Sequence, residues 1–154
     1  MSEKLTLRDN ATMRWLALLL LALAMFCSYI FMDILSPIKD LMMSERGWDS
    51  TAFGTMQGAE TFLNVFVFFL IFAGIILDKM GVRFTAVLSG LVMLVGAGIQ
   101  YYAVSESFIG SGVEEWFTNH LNYIPGFDEL GVSPFYEGMP ASAKLAAIGF
   151  MIFG

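Results

Sequence analysis

Gly74-Ile75-Ile76-Leu77-Asp78-Lys79-Met80-Gly81-Val82-Arg83 lies between two long apolar runs. Before it stands Val65-Phe66-Val67-Phe68-Phe69-Leu70-Ile71-Phe72, and after it a second run opens at Phe84. One acid and two bases between two glycines make more than a simple connection. Gly81 permits backbone angles that side-chain-bearing residues avoid. Gly74, one helical turn before Asp78, allows helices to approach closely. A carboxylate at the edge of hydrocarbon is expensive unless it is paired. The stretch is therefore expected to be a charged clasp at a helix junction, where an ordinary membrane turn would carry bases alone.

The rest of the chain supports helices in a bilayer. Of 154 residues, 57% are hydrophobic and 15% aromatic, more apolar surface than a soluble domain of this length hides from water. The net charge of -6 argues against nucleic acid as a partner. About 20 apolar residues are needed to cross the hydrocarbon core. Spans are expected at residues 13–35, 52–77 and 84–104, with Ser36-Pro37 ending the first, because proline disfavours helical geometry in the residue before it. A fourth apolar run, residues 142–154, is too short to span and is expected to be the start of a helix that continues in a longer chain. The expected fold is all-α, a polytopic transmembrane helix bundle. The first span could also be read as a signal peptide, with Arg8 and Arg14 before it and Ala22-Leu23-Ala24 as a cleavage site. Its apolar run continues well past Ala24, and further spans follow.

Orientation follows the bases near span ends. Lys4, Arg8 and Arg14 precede the first span, and Lys79 and Arg83 lie between the second and third. Residues 1–12 are then a cytoplasmic tail and residues 105–141 an extracytoplasmic loop. The expected location is an integral membrane one, the bacterial inner membrane, with the N-terminus in the cytoplasm. The outer loop carries Glu106, Glu114, Glu115, Asp128, Glu129 and Glu137. Within it Val113, Trp116, Phe117, Leu121 and Ile124 recur at helical spacing, which predicts a short helix at the membrane surface or a cap over the outer mouth. Residues 36–51 are expected to extend the first span helically or to form an interfacial turn. Asn10-Ala11-Thr12 matches a glycosylation acceptor but lies on the cytoplasmic side. Cys27 is a packing residue with no cysteine to pair with, and the lone His120 is a solvated loop residue.

Polar residues inside the spans are candidates for solute or proton handling. Glu60 has Gln57 one turn before it and Asn64 one turn after it, on one helical face. Asp33 lies near the outer end of the first span, with Ser28 and Tyr29 about a turn earlier. Gly90, Gly96 and Gly98 are expected to let the third span pack closely. Trp15 and Tyr101-Tyr102 are interface anchors.

The 74–83 stretch resembles the loop signature of the major facilitator superfamily, G-x-x-x-D-[RK]-x-G-x-[RK], between the second and third helices. Ile76 stands where that family commonly has Leu or Ala, and Val82 where it often has a base. The resemblance implies the front part of a secondary transporter, built in full from two six-helix halves that rock about a central site. It also implies that Asp78 is a latch acid, that Lys79 and Arg83 are its charged neighbours, and that Gly74 and Gly81 are the packing glycines. In that family the latch holds the cytoplasmic side closed in the outward-open state. The implied partners are the lipid bilayer, a small-molecule solute, protons or another coupling ion, and the remainder of the same transporter chain.

No P-loop, GxSxG, HExxH or His/Cys cluster occurs, so neither enzymatic activity nor a cofactor is expected. The alternative expectation is a small non-transporting membrane subunit or interaction protein.

Overall fold

The computed structural model describes residues 10–127, 129–131 and 133–154, and among these every regular element is a helix. The Lys4 and Arg8 of the orientation argument, and Asp128, fall outside the described residues. The chain divides into two compact units, Met1–Asp40 and Leu41–Gly154.

The first unit is dominated by α1 (Ala11–Asp33), a run of Leu, Ala and Met with no helix breaker. Asn10 caps it. The Asn10 side-chain oxygen accepts from the backbone N–H groups of Thr12 at 3.0 Å and Met13 at 3.4 Å, which satisfies donors that a helix start leaves open. The residue that carries the glycosylation pattern thus has a structural task. Ser36–Ile38 form a single 3-10 turn with Pro37 at its start, where a missing N–H costs nothing. α2 (Lys39–Arg46) follows, so residues 36–51 contain a helix. No residue of α1 is buried.

The second unit holds most of α2, then α3 (Ser50–Phe66), α4 (Phe69–Val104), α5 (Gly112–Asn119) and α6 (Ala141–Phe153). Four contacts fix the directions of its long helices. Trp48, just before α3, meets Ser142 at the start of α6, while Asn64 near the end of α3 meets Gly154. α3 and α6 therefore run parallel. Gly96 of α4 faces Phe153, and Gln100 faces Gly149, so this part of α4 runs antiparallel to α6. The chain consequently reverses direction between α3 and the second part of α4. α6 lies between them, and ten of its 13 residues are buried. Its small residues (Ala141, Ser142, Ala143, Ala146, Ala147, Gly149) let both neighbours come close. α3 presents Ala52, Phe53, Met56, Ala59 and Phe62 to the core, a spacing that follows one helical face.

Two departures from the expected spans stand out. The second span is not one helix. α3 stops at Phe66, and Phe68 takes φ 55°, ψ 31°, a left-handed backbone rare for a bulky residue. The stretch around it is β-branched and aromatic, types that lose side-chain freedom in a helix, so breaking the helix there is cheap. α4 then continues through the charged turn into the third span, with Gly81 alone non-helical inside it, at φ 81° and ψ 165°. That combination is essentially confined to glycine. Two stretches, Ala11–Arg46 and Phe69–Val104, are long and apolar enough to cross a bilayer. α3, at 17 residues, extends about 25 Å, short of a hydrocarbon core of about 30 Å.

Candidate functional site

Polar contacts concentrate at the end of the second unit where α3 and α6 begin and α4 ends. Arg46 donates to the backbone oxygen of Val104 at 2.6 Å. The buried indole of Trp48 donates to the Ser142 hydroxyl at 2.8 Å. Asp49 caps α3 by accepting from the Ala52 N–H at 2.7 Å, and it also accepts from the Tyr136 hydroxyl at 2.7 Å. The Tyr136 hydroxyl, followed by the N–H of Ala52, holds the Asp49 carboxyl below its ordinary value. The phenol of Tyr136 is pushed well above its own, first by burial and then by the Asp49 carboxylate.

Lys144 completes this end. It is 1% exposed, and its ammonium donates to the backbone oxygens of Phe117 at 2.9 Å and His120 at 3.1 Å and to Oδ1 of Asn122 at 2.8 Å. All three donors of the ammonium are used. Two acceptors lie at the C-terminal end of α5, where the helix dipole favours a cation. Lys144 thus fastens the loop helix to the first turn of α6. Sequence reasoning singled out no role for Lys144. The available signal was one lysine set among alanines and leucine in an otherwise apolar helix.

α5 is shorter than its apolar spacing predicts. Ser111 caps its start, His120 ends it, and Leu121 turns to φ 58°. Leu121 and Ile124 are therefore not on it. His120 is exposed, stacked on Trp116 at 4.9 Å between ring centres and 12° between planes.

At the opposite end, Glu60 and Asn64 come together against α6. The Asn64 amide donates to the backbone oxygen of Gly154 at 3.2 Å. Gly154 packs on Glu60 so closely that a methyl group on it would overlap the Glu60 side chain and lie 2.9 Å from its backbone oxygen. Glu60 is half-buried, and among the described residues its carboxylate makes no hydrogen bond or ion pair. Gln57 is half-buried one turn earlier on α3. Asp33, the last residue of α1, is exposed and belongs to the other unit.

In the 74–83 stretch, Gly74, Asp78, Lys79, Gly81 and Arg83 are all exposed. Among the described residues, Asp78, Lys79 and Arg83 make no side-chain hydrogen bond or ion pair. Gly74 has open space where a Cβ would stand, as do Gly90 and Gly98. The close approach falls instead at Gly96 and at Gly149. Gln100, beside that crossing, is buried, and its amide nitrogen has no hydrogen-bond partner among the described residues.

One contact departs from the expected surface helix or cap. Phe127 lies 5.2 Å from the ring of Phe62 and 6.1 Å from that of Phe66, both edge-on. These rings lie 12 and 16 residues beyond Ser50, about 18 and 24 Å along α3. The loop therefore folds back along the helix. No family model matches this chain, and no solved structure matches it.

Proposed function

We propose that this chain is the front part of a secondary transporter of the major facilitator type, moving a small solute by alternating access with ion or proton coupling. α1, α3 joined to the first part of α4, the second part of α4, and α6 correspond to its first four membrane helices. The observation that carries the reading is the disposition of the 74–83 turn. It lies between two chain segments that run in opposite directions, at the end away from the Trp48–Ser142 tie. It turns at a glycine whose backbone angles require glycine, and it presents Asp78, Lys79 and Arg83 outward with no partner among the described residues. Charges held together at a membrane edge, with no partner among the described residues, are suited to a partner surface that comes and goes. The apolar faces of α1 and α4 fit the same reading. Leu18, Leu20, Leu21, Leu91 and Leu94 are more than half exposed, a pattern that suits lipid and further helices better than water. Glu60, half-buried beside Asn64, is the acid placed to carry a proton or meet a cationic group.

The test is Asp78→Asn in the intact protein, reconstituted in vesicles and screened for uptake against a panel of small solutes. Loss of uptake with normal membrane insertion supports the latch. Unchanged uptake removes it. A protein that moves no solute in either form leaves a small membrane subunit or interaction protein as the better reading.

A further inference from the structure

The apolar stripe of α5 runs from Phe117 through Val113 to Trp116, about 100° around the helix. The protein covers only its Phe117 edge. Phe117 is buried, as is Phe108 in the turn before the helix, whereas Val113 is 42% exposed, Trp116 49% and Ile109 54%. Thr118, Glu114 and Glu115 fall on the side away from Val113 and Trp116. Both ends of α5 are held at one level. The chain enters it from the end of α4, where the Tyr102 and Phe108 rings meet edge-on at 5.8 Å. It leaves at the Lys144 ammonium, on the first turn of α6. α4 ends where α6 begins, because Arg46 holds the first and Trp48 the second. Tyr101, about a turn before that end, is 77% exposed. Tyrosine and tryptophan gather where a bilayer meets water, since the ring is apolar and its tip is wet.

We propose that α5 rests on the outer leaflet of the bilayer. Ile109, Val113 and Trp116 enter the boundary between headgroups and acyl chains, and Thr118, Glu114 and Glu115 face water. The level of the strip selects lipid as its occupant. It lies beside the end of α4, where the headgroups around the exposed face of that helix already stand. α5 carries two acids and no base, so it gains nothing from anionic lipid. Its hold rests on buried apolar area and suits a neutral headgroup such as phosphatidylcholine. Docked in this way, α5 keeps the outer ends of α4 and α6 at a fixed depth, the first through Phe108 and the second through Lys144. The inference rests on the membrane reading above, and the test separates the two.

The chain has three tryptophans, of which Trp48 is buried. Trp15→Phe, Trp116→Phe and the double variant of the intact protein are reconstituted in phosphatidylcholine vesicles, either plain or brominated near the headgroup end of the acyl chains. The double variant gives the emission of Trp48, which is subtracted from that of each single variant. Trp116 is expected to lose most of its emission in brominated lipid and little to iodide present on both sides of the membrane. Trp15, exposed on α1, is expected to be quenched by brominated lipid as well. Val113→Glu, added to Trp15→Phe, is expected to lift Trp116 out and make it severalfold more sensitive to iodide. Thr118→Glu, on the opposite side of α5, leaves that sensitivity unchanged and guards against a general loosening of the fold. Quenching of Trp15 but not of Trp116 by brominated lipid overturns the docking and leaves the membrane reading standing. A Trp116 indifferent to Val113→Glu overturns the inserted face. No quenching of either by brominated lipid removes the membrane reading and the proposal with it.

Discussion

Gly96 and Gly149 face one another across the crossing of α4 and α6 with no room for a methyl group on either. A Cβ on Gly149 would stand 2.6 Å from Cγ of Gln100 and 2.9 Å from the backbone oxygen of Gly96. One on Gly96 would stand 2.7 Å from the Gly149 oxygen and from the Phe153 nitrogen. Backbone atoms cannot rotate aside as a side chain does. Gly96→Ala is therefore expected to separate the helices and cost about 1–3 kcal/mol. Gly98→Ala, two residues away with open space, is expected to be neutral. Thermal unfolding of the two variants in detergent checks this, and equal midpoints would show that the helices do not cross here.

Lys144 gives a second expectation. Lys144→Met keeps the length and apolar stem but leaves the oxygens of Phe117, His120 and Asn122 without their donor. Stranding one buried and two part-buried acceptors is expected to cost about 2 kcal/mol locally, or about 30-fold faster amide hydrogen exchange in α5. Lys144→Arg restores the charge, but its planar fork does not match three acceptors around one nitrogen, so it rescues only in part. Exchange measured on α5 and α6 separately decides the matter. Loosening confined to α5 is expected, and unchanged exchange there would mean that Lys144 does not hold the loop.

The Asp49–Tyr136 contact predicts a pH dependence at each extreme. The folded-state value of Asp49 is depressed, so its contribution is present above the ordinary carboxylate range and is lost as pH falls through the depressed value. The folded-state value of Tyr136 is raised, so its contribution is present below an ordinary phenol's value near 10 and is lost as pH rises through the raised one. The contact is thus indifferent to pH across the physiological range. An ultraviolet titration should show one tyrosine ionising later than the rest. Asp49→Asn should bring it down, yet leave it above an ordinary tyrosine, because burial is the larger cause. A titration in which all five tyrosines ionise together would refute the contact.

How much of this was legible in the sequence depended on how local each feature is. α1 and the second part of α4 are long uniform apolar runs, but α1 ends at Asp33, before Pro37, which stands in a 3-10 turn that leads into α2. The glycine at position 81 was legible from its own geometry. The interruption at Phe68 was not, because Val67 and Phe68 look like any other lipid-facing pair in a membrane run. Gly96 could not be told from Gly90 or Gly98, since only the partner helix distinguishes them. The Lys144 ammonium and the Phe127 ring meet partners more than 20 and 60 residues away, and nothing in the neighbouring sequence of either names those partners. The apolar spacing through Leu121 and Ile124 misled because it continued beyond the point where the backbone turns at Leu121. Of the polar candidates, Glu60 and Asn64 share a neighbour in Gly154 as their helical spacing allowed, while Asp33 stands in the other unit.

The change of backbone hand at Phe68 sets a requirement on whatever surrounds it. α3 ends and α4 begins there, and no side chain caps the start of α4. Each helix end leaves amide or carbonyl groups that the helix itself does not satisfy. In water they would be solvated at no cost. At the depth of Phe68 in a bilayer they would be stranded, and the large exposed side chains around them (Val65, Phe68, Leu70) offer no donor or acceptor. The seam between α3 and α4 therefore calls for a neighbour with its own polar groups, a hydroxyl or amide from another span, or a thread of water admitted between helices. Such a joint costs less to bend than an intact helix does, because the hydrogen bonds that would resist bending are already absent.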